Sequence, residues 1–504
     1  MKITTFVTTL LGATAISGMA MAADLRIGIN EDPDTLDPAQ SRTFVSSMVY
    51  ESLCNRLVNT DTDMQIIPEL ATEWAWSDDG MALVMQLRQG VVHHDGTPFN
   101  ADSAKRVLER NLSLTESRRK AELASVESLE ATGEHELTIH LKAPDVTLLA
   151  QLAHHAGRMY SPDAAEAASD GGRPFGAAPV CTGPYKFANR VEGDRIVLEK
   201  FADYWEADQY HYDRVIYMPI PDTTVRLANV RAGDLDISER TAPSDVESIR
   251  NDSRLQLEQS TSIGYQGITL NVGNGPRAEK PLGANKLVRQ ALSWAIDREA
   301  LNQVVFEGMH VPGNQWASPV SPWYDETDPV PGRDVEKAKA LLAEAGVEGR
   351  LAIEMQTGNS PIAMQAGQVI QAMAAEAGID ISLRSSEFAT MLAQNAEGNF
   401  ELSLQGWSGR VDPDANIHPF VYTTGANNDG KYSNPEIDAL LEKARTIADP
   451  AERKALYDQT RAILKDDLPL IYLYHVSQFY TLRNGIEGFV PYNDGIIRLR
   501  GVSG

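Results

Sequence analysis

The residue types and spacings that carry catalytic or nucleotide-binding chemistry are mostly missing from this sequence. No GxxxxGK[ST] string occurs, so the backbone cradle and lysine that would hold nucleotide phosphates are missing. The stretch Gly406-Trp407-Ser408-Gly409-Arg410 resembles a nucleophile elbow, but Arg410 stands where the second glycine is needed, and HExxH is absent. His93, His94 and Asp95 invite a metal reading, yet neighbouring side chains on a strand point to opposite faces, so a strand ending in an Asp95-Gly96 turn is preferred. The pair His154 and His155 takes the same discount. With 70 Asp plus Glu, no carboxylate pair stands out as a general acid and base. No catalytic residue, metal site or cofactor is expected.

What does stand out is aromatic and polar material at strand ends. Trp407, Ser408, Arg410, Asp412 and Asp414 follow the strand ELSLQ, and Tyr472, Tyr474 and His475 lie in the last strand. Ligands of open α/β sheets sit in the crevice at the carboxyl ends of strands. An arginine there offers a planar, permanently charged fork matched to a carboxylate. The competing structural reading is that Arg410 merely pairs with Asp412 or Asp414, and that Trp407 is core.

Elements must position these groups. DLRIGI from Asp24 reads as a strand, broken by the prolines of EDPDTLDP, and Thr43 to Leu53 carries helical spacing. A strand meets the Asp95-Gly96 turn before a helix capped by Asn100 or Asp102. VCTGPYKF and DRIVLEKFADYW read as adjacent antiparallel strands, and TTVRLANVRAGDLDI as helix, glycine stop and strand. Beyond Gly264 the pattern changes. Asn285 to Phe306 reads as one long amphipathic helix, and alternating strands and helices follow as an α/β unit with a mostly parallel sheet. Two helices then precede a single last strand, LIYLYHVSQFYTL.

Whole-chain arithmetic agrees with a soluble globular protein. At roughly 100 to 200 residues per domain, 504 residues make two to four packed units. Lys plus Arg is 45 against 70 acidic residues, a net charge of −25, which leaves no electrostatic footprint for nucleic acid. Residues 1–22 carry Lys2, an apolar stretch from Phe6 and the small-residue pattern Ala20-Met21-Ala22, a secretory leader that implies export to the periplasm. Cys54 and Cys181 thus reach a compartment where disulfides persist; they are either bridged or two separate buried thiols.

The string LRQGVVHHDGTPFNADSAKRVLER resembles the signature of the family 5 substrate-binding proteins of ABC importers, the dipeptide, oligopeptide and nickel-binding group. TLDPA at Thr35, IPELATEW at Ile67, CTGPYKF at Cys181, AGDLDI at Ala232, VRQALSWAIDREAL at Val288, DVEKAKALLAEAG and YSNPEIDALLEKA at Tyr432 agree with it in order and spacing. The resemblance implies an α/β, two-lobed periplasmic-binding-protein fold, type II-like, with an extra subdomain in the first lobe. By it, residues 23–54, 182–264 and 469–504 form the main part of lobe I, 55–181 the extra subdomain, and 265–468 lobe II. Cys54 and Cys181 then stand where the chain leaves and re-enters the main subdomain, which favours a bridge.

Peptide binders of this family look to carry an acidic residue in a GWxxD pattern that neutralises the peptide's α-ammonium. Here that position is Arg410, and the charge is reversed. Asp412, Asp414, Asp32 or Asp34 must then take an amine, or the solute must offer an acid group to Arg410, as an acidic peptide, a glutathione-like molecule or an opine does. The expected lining is Asp32, Pro33, Asp34, Asn271, Trp407, Ser408, Arg410, Asp412, Tyr472 and Tyr474. Expected partners are a peptide or peptide-like solute and an inner-membrane ABC permease with its ATPase, the binding protein itself being a monomer. Two other classes stay open: a secreted hydrolase using paired carboxylates, and a sensor or chaperone-like module read by a receptor.

Overall fold

The computed structural model describes residues 23–504; the secretory leader expected over residues 1–22 lies outside them. Strand Asp24–Ile29 buries Leu25, Ile27 and Ile29 completely and lies inside a seven-stranded sheet. It runs parallel to Arg214–Pro219 on one side and Ile237–Ser238 on the other, while the remaining pairings of that sheet are antiparallel. Helix Thr223–Ala232 feeds that sheet: Asp222 caps its first turn and Gly233, in the left-handed region at φ 84°, ends it.

Between Cys54 and Cys181 the chain builds a four-stranded antiparallel sheet, Ala71–Trp76, Ala82–Leu87, Glu136–Leu141 and Val126–Gly133, with helix Ala101–Ser113 against it. Asn100 caps that helix in a reciprocal box with Ser103. This excursion has its own sheet but no separate core, because one continuous apolar cluster joins Leu25 and Ile27 to Leu83, Leu137 and Leu152. Cys54 and Cys181 form a disulfide with Cα atoms 4.9 Å apart, closing the neck of the excursion.

The second lobe holds a six-stranded sheet in the order Val311–Pro312, Leu470–His475, Tyr265–Leu270, Leu402–Trp407, Leu351–Gly358, Ile379–Ser386. Only Leu351–Gly358 pairs in parallel, with both its neighbours; the other pairings are antiparallel, so the sheet is mixed rather than mostly parallel. The antiparallel part arises because Tyr265–Leu270 enters from lobe I and must be flanked by the strand that leaves. One helix layer packs on Ile268, Met355 and Ile379, another on Tyr265, Leu470 and Tyr472.

Two expectations need correction. The long helix is two, Lys286–Ala295 and Arg298–Phe306, because Asp297 adopts extended backbone and accepts the Ala300 N–H at 2.9 Å as the cap of the second. The last strand is also two: Leu470–His475 belongs to the sheet of lobe II and Ser477–Arg483 to that of lobe I. Lobe II therefore extends to His475 instead of ending at 468, and the chain crosses at Val476. The other crossing, residues 262–264, lies beside it: Ser262 N–H donates to the Val476 carbonyl at 2.8 Å, and His475 Nδ1 to the Gly264 carbonyl at 2.8 Å.

Candidate functional site between the lobes

The crossing at residues 262–264 borders a cavity walled by both lobes. Lobe I contributes Phe44, Arg56, Thr60, Met64, His154 and Asp494, the crossing contributes Ile263, and lobe II contributes Gly409, Arg410 and Val411. Lobe II reaches it with the loop that follows strand Leu402–Trp407. That strand pairs Trp407 with Tyr265, so its carboxyl end lies at the crossing. The loop packs on the crossing backbone to backbone. A Cβ added to Gly264 would stand 2.0 Å from the Trp407 carbonyl oxygen, and Gly409 takes φ 86° to make the turn.

Asn416 fixes the loop's shape. Its Oδ1 accepts Trp407 Nε1–H at 3.0 Å and Arg410 N–H at 2.7 Å, while its Nδ2 donates to the Arg410 carbonyl at 2.7 Å. The Arg410 guanidinium lies 4.3 Å from the Trp407 ring centroid and donates from Nη1 to Ser408 Oγ and the Gly409 carbonyl. Trp407 thus serves as a platform for Arg410 and itself packs edge-on against Phe420. No carboxylate among the described residues forms an ion pair with Arg410, and its Nε and Nη2 have no hydrogen-bond partner among them. Enclosure pulls the guanidinium down to about 10, with Glu122 and Asp494 nearby acting upward and Arg119 downward; it remains a cation.

The surrounding charges are matched among themselves. Arg158 takes Glu51 and Arg56 takes both Glu51 and Glu69, Arg119 pairs with Glu122, and Asp494 forks onto Arg498 at 2.9 and 2.7 Å, four cations against four acids. Burial raises Glu51, yet Arg56, Arg498 and Arg158 together bring it down to about 2. One uncompensated positive charge is left, that of Arg410.

The expected lining is only partly assembled. Of the expected lining Arg410 alone stands in the cavity wall; Trp407 and Ser408 contact its guanidinium without lining the cavity, and Asp412 and Asp414 do not join them. Asp412 is clamped by Arg453 at 2.6 and 2.7 Å, and Asp414 by Arg445 at 2.9 and 2.7 Å. The Arg410–Asp412 and Arg410–Asp414 pairings are absent for the same reason. Asp32 faces Arg190 and the Gly193 N–H, and the Pro33 carbonyl accepts from Arg190. Asp34 is spent on the hydroxyls of Ser41, Thr43 and Ser46 and on the Arg42 N–H. Asn271 lies at the far end of strand Tyr265–Leu270, donating to the carbonyls of Asn274, Gly398 and Phe400. Tyr472 packs edge-on to Tyr265, and Tyr474 between Phe306 and His310, both inside lobe II. His93 is buried against Phe99, and His94 bridges the Cys181 N–H and the Gly183 carbonyl. The cavity residues absent from the expected lining include Phe44, Arg56, Thr60, Met64, His154, Ile263 and Asp494. Asn416 was legible as the last residue of DPDAN, two positions after an acid that ends up paired.

Two lobes, two adjacent crossings and a cavity walled from both sides define a solute-binding protein of the two-lobed kind. Residues 65–428 match the model of the bacterial extracellular solute-binding proteins, family 5. The chain belongs to that family. It is 27% identical to the dipeptide-binding protein of Escherichia coli over 95% of this chain and 94% of that one. It is 29% identical to a glutathione-binding protein of Pectobacterium atrosepticum, over 92% and 90%. The solved structure of the PBP AgaA of A. tumefaciens in complex with agropinic acid superimposes with a TM-score of 0.85 at 27% identity, covering 95% of this chain and 98% of that one.

Proposed function

We propose that this protein captures a peptide-like solute carrying an acid group, closes its lobes on it, and delivers it unaltered to an inner-membrane ABC permease driven by its ATPase. It works in the periplasm after removal of the leader at residues 1–22, and it carries out no catalysis. The observation that carries this reading is the Arg410 guanidinium, enclosed between the lobes with no acidic partner. A half-buried cation between the lobes gains a partner when a solute carboxylate pairs with it as the lobes meet. Relatives that bind a dipeptide, glutathione and agropinic acid support the class of small acid-bearing solutes. Of the acids expected to take an ammonium, Asp32, Asp34 and Asp412 are engaged with protein partners, and so is Asp494 on the cavity wall.

Calorimetric titration with N-acetyl-Ala-Ala and with Ala-Ala-amide tests the reading. The acid is expected to bind and the amide to fail, and Arg410→Ala to weaken the acid by about 1.5 to 3 kcal/mol. Equal binding of acid by wild type and Arg410→Ala would show that Arg410 is structural.

A further inference from the structure

His154 lines the same cavity as Arg410, from the opposite lobe. It follows helix Leu148–Leu152, and its backbone N–H donates to the Gln151 carbonyl. Its ring meets His155 edge-on with centroids 4.4 Å apart, and neither ring nitrogen has a hydrogen-bond partner among the described residues. The adjacent His155 differs: it is buried and bonded to Ser47 Oγ at 2.8 Å. Arg56, beside His154 on the cavity wall, holds the Ala153 carbonyl at 3.1 Å and so fixes the backbone that aims the ring.

We propose that His154 is the second gripping residue of the site, its imidazole hydrogen-bonding the polar atoms adjoining the solute's acid group while Arg410 holds the acid itself. This rests on the anion reading above and narrows it. Burial above all, then the neighbouring Arg410, His155, Arg158 and Arg56, pushes the imidazole well below its ordinary value, so the ring is neutral. A neutral imidazole carries one N–H and one lone pair. The solute end that uses both residues is an acid with a neighbouring amide or hydroxyl, as in –CO–NH–CHR–COO⁻, the acyl-amino-acid end of a peptide. A plain fatty acid or an isolated anion would satisfy Arg410 and leave His154 without a partner inside the closed site, a loss of affinity by desolvation.

The test is calorimetry with N-acetyl-Ala-Ala on wild type, His154→Phe, His154→Gln and Arg410→Ala, with melting curves of each. His154→Phe keeps the ring's bulk and removes its hydrogen bonds; it is expected to lose about tenfold in affinity. His154→Gln supplies an amide donor and acceptor and is expected to stay within about threefold of wild type. If His154→Phe lowers the melting temperature, His154→Ala takes its place in the same comparison. Unchanged affinity in the His154 variants, with binding lost in Arg410→Ala, overturns the role of His154 and leaves the anion reading standing. No binding by wild type, or full binding by Arg410→Ala, overturns the anion reading itself and this one with it.

Discussion

Asp429 illustrates how single groups are set by the meeting of the lobes. It sits in lobe II, 9% exposed, and the charges that act on it are Arg42 of lobe I and Lys431. Burial raises its carboxyl to about 6, and both cations only partly offset that. Its folded value lies above the unfolded one near 4, so the native state keeps a proton that the unfolded chain has lost between about pH 4 and 6. The stability it confers is therefore present below that window and lost as pH rises through it. Above pH 6 the ionised group is a standing penalty of about 3 kcal/mol at most. Asp429→Asn is expected to raise the melting temperature at pH 7 and leave it unchanged at pH 4, which thermal unfolding at the two pH values checks. At this scale the sequence was readable where a residue acts within its own loop, as Trp407, Ser408 and Arg410 do. It was opaque where the partner is remote: Asp412 with Arg453, Asp414 with Arg445 and Asp32 with Arg190 are 41, 31 and 158 positions apart. An acid in a motif string shows its charge but not who neutralises it.

Among elements, periodicity located helices and strands well and their joints poorly. An amphipathic stripe continues across Asp297, so nothing in the apolar pattern marks the break; the cap does. The strand LIYLYHVSQFYTL is unbroken in propensity, and only the change of partner sheet divides it at Val476. The crossing at residues 262–264 was marked by Gly264, whose backbone must lie against Trp407 and Ser408. A Cβ there would come 2.0 Å from the Trp407 oxygen and 2.6 Å from the Ser408 carbonyl carbon, both backbone atoms that cannot swing aside. Gly264→Ala is expected to push the Arg410 loop off the crossing, costing about 1 to 3 kcal/mol of stability as overpacking does and weakening solute binding with it. Denaturant unfolding and titration of N-acetyl-Ala-Ala on the same preparation check both effects. A stability loss with unchanged affinity would mean that the loop moves independently of the crossing.

At the scale of the molecule, among the described residues the lobes are joined covalently at two neighbouring places, residues 262–264 and Val476, so a rotation about that edge opens the cavity without breaking either core. Across from it the lobes touch through Val146 N–H, which donates to the Arg445 carbonyl at 2.9 Å, while Asp145 lies close enough to act on Arg445 and His418. A rotation that parts the lobes would break this contact, and with the cavity empty the contact is opposed by the partly desolvated charge of Arg410. A solute acid removes that opposition, and its differential affinity for the closed form sets how far the equilibrium shifts. Small-angle scattering is therefore expected to show a smaller radius of gyration with saturating N-acetyl-Ala-Ala than without it, and no change with Ala-Ala-amide. Arg410→Ala, freed of the buried charge, is expected to be compact in the absence of solute. An Arg410→Ala profile as extended as that of empty wild type would mean that the opening is driven by something other than this one unpaired cation.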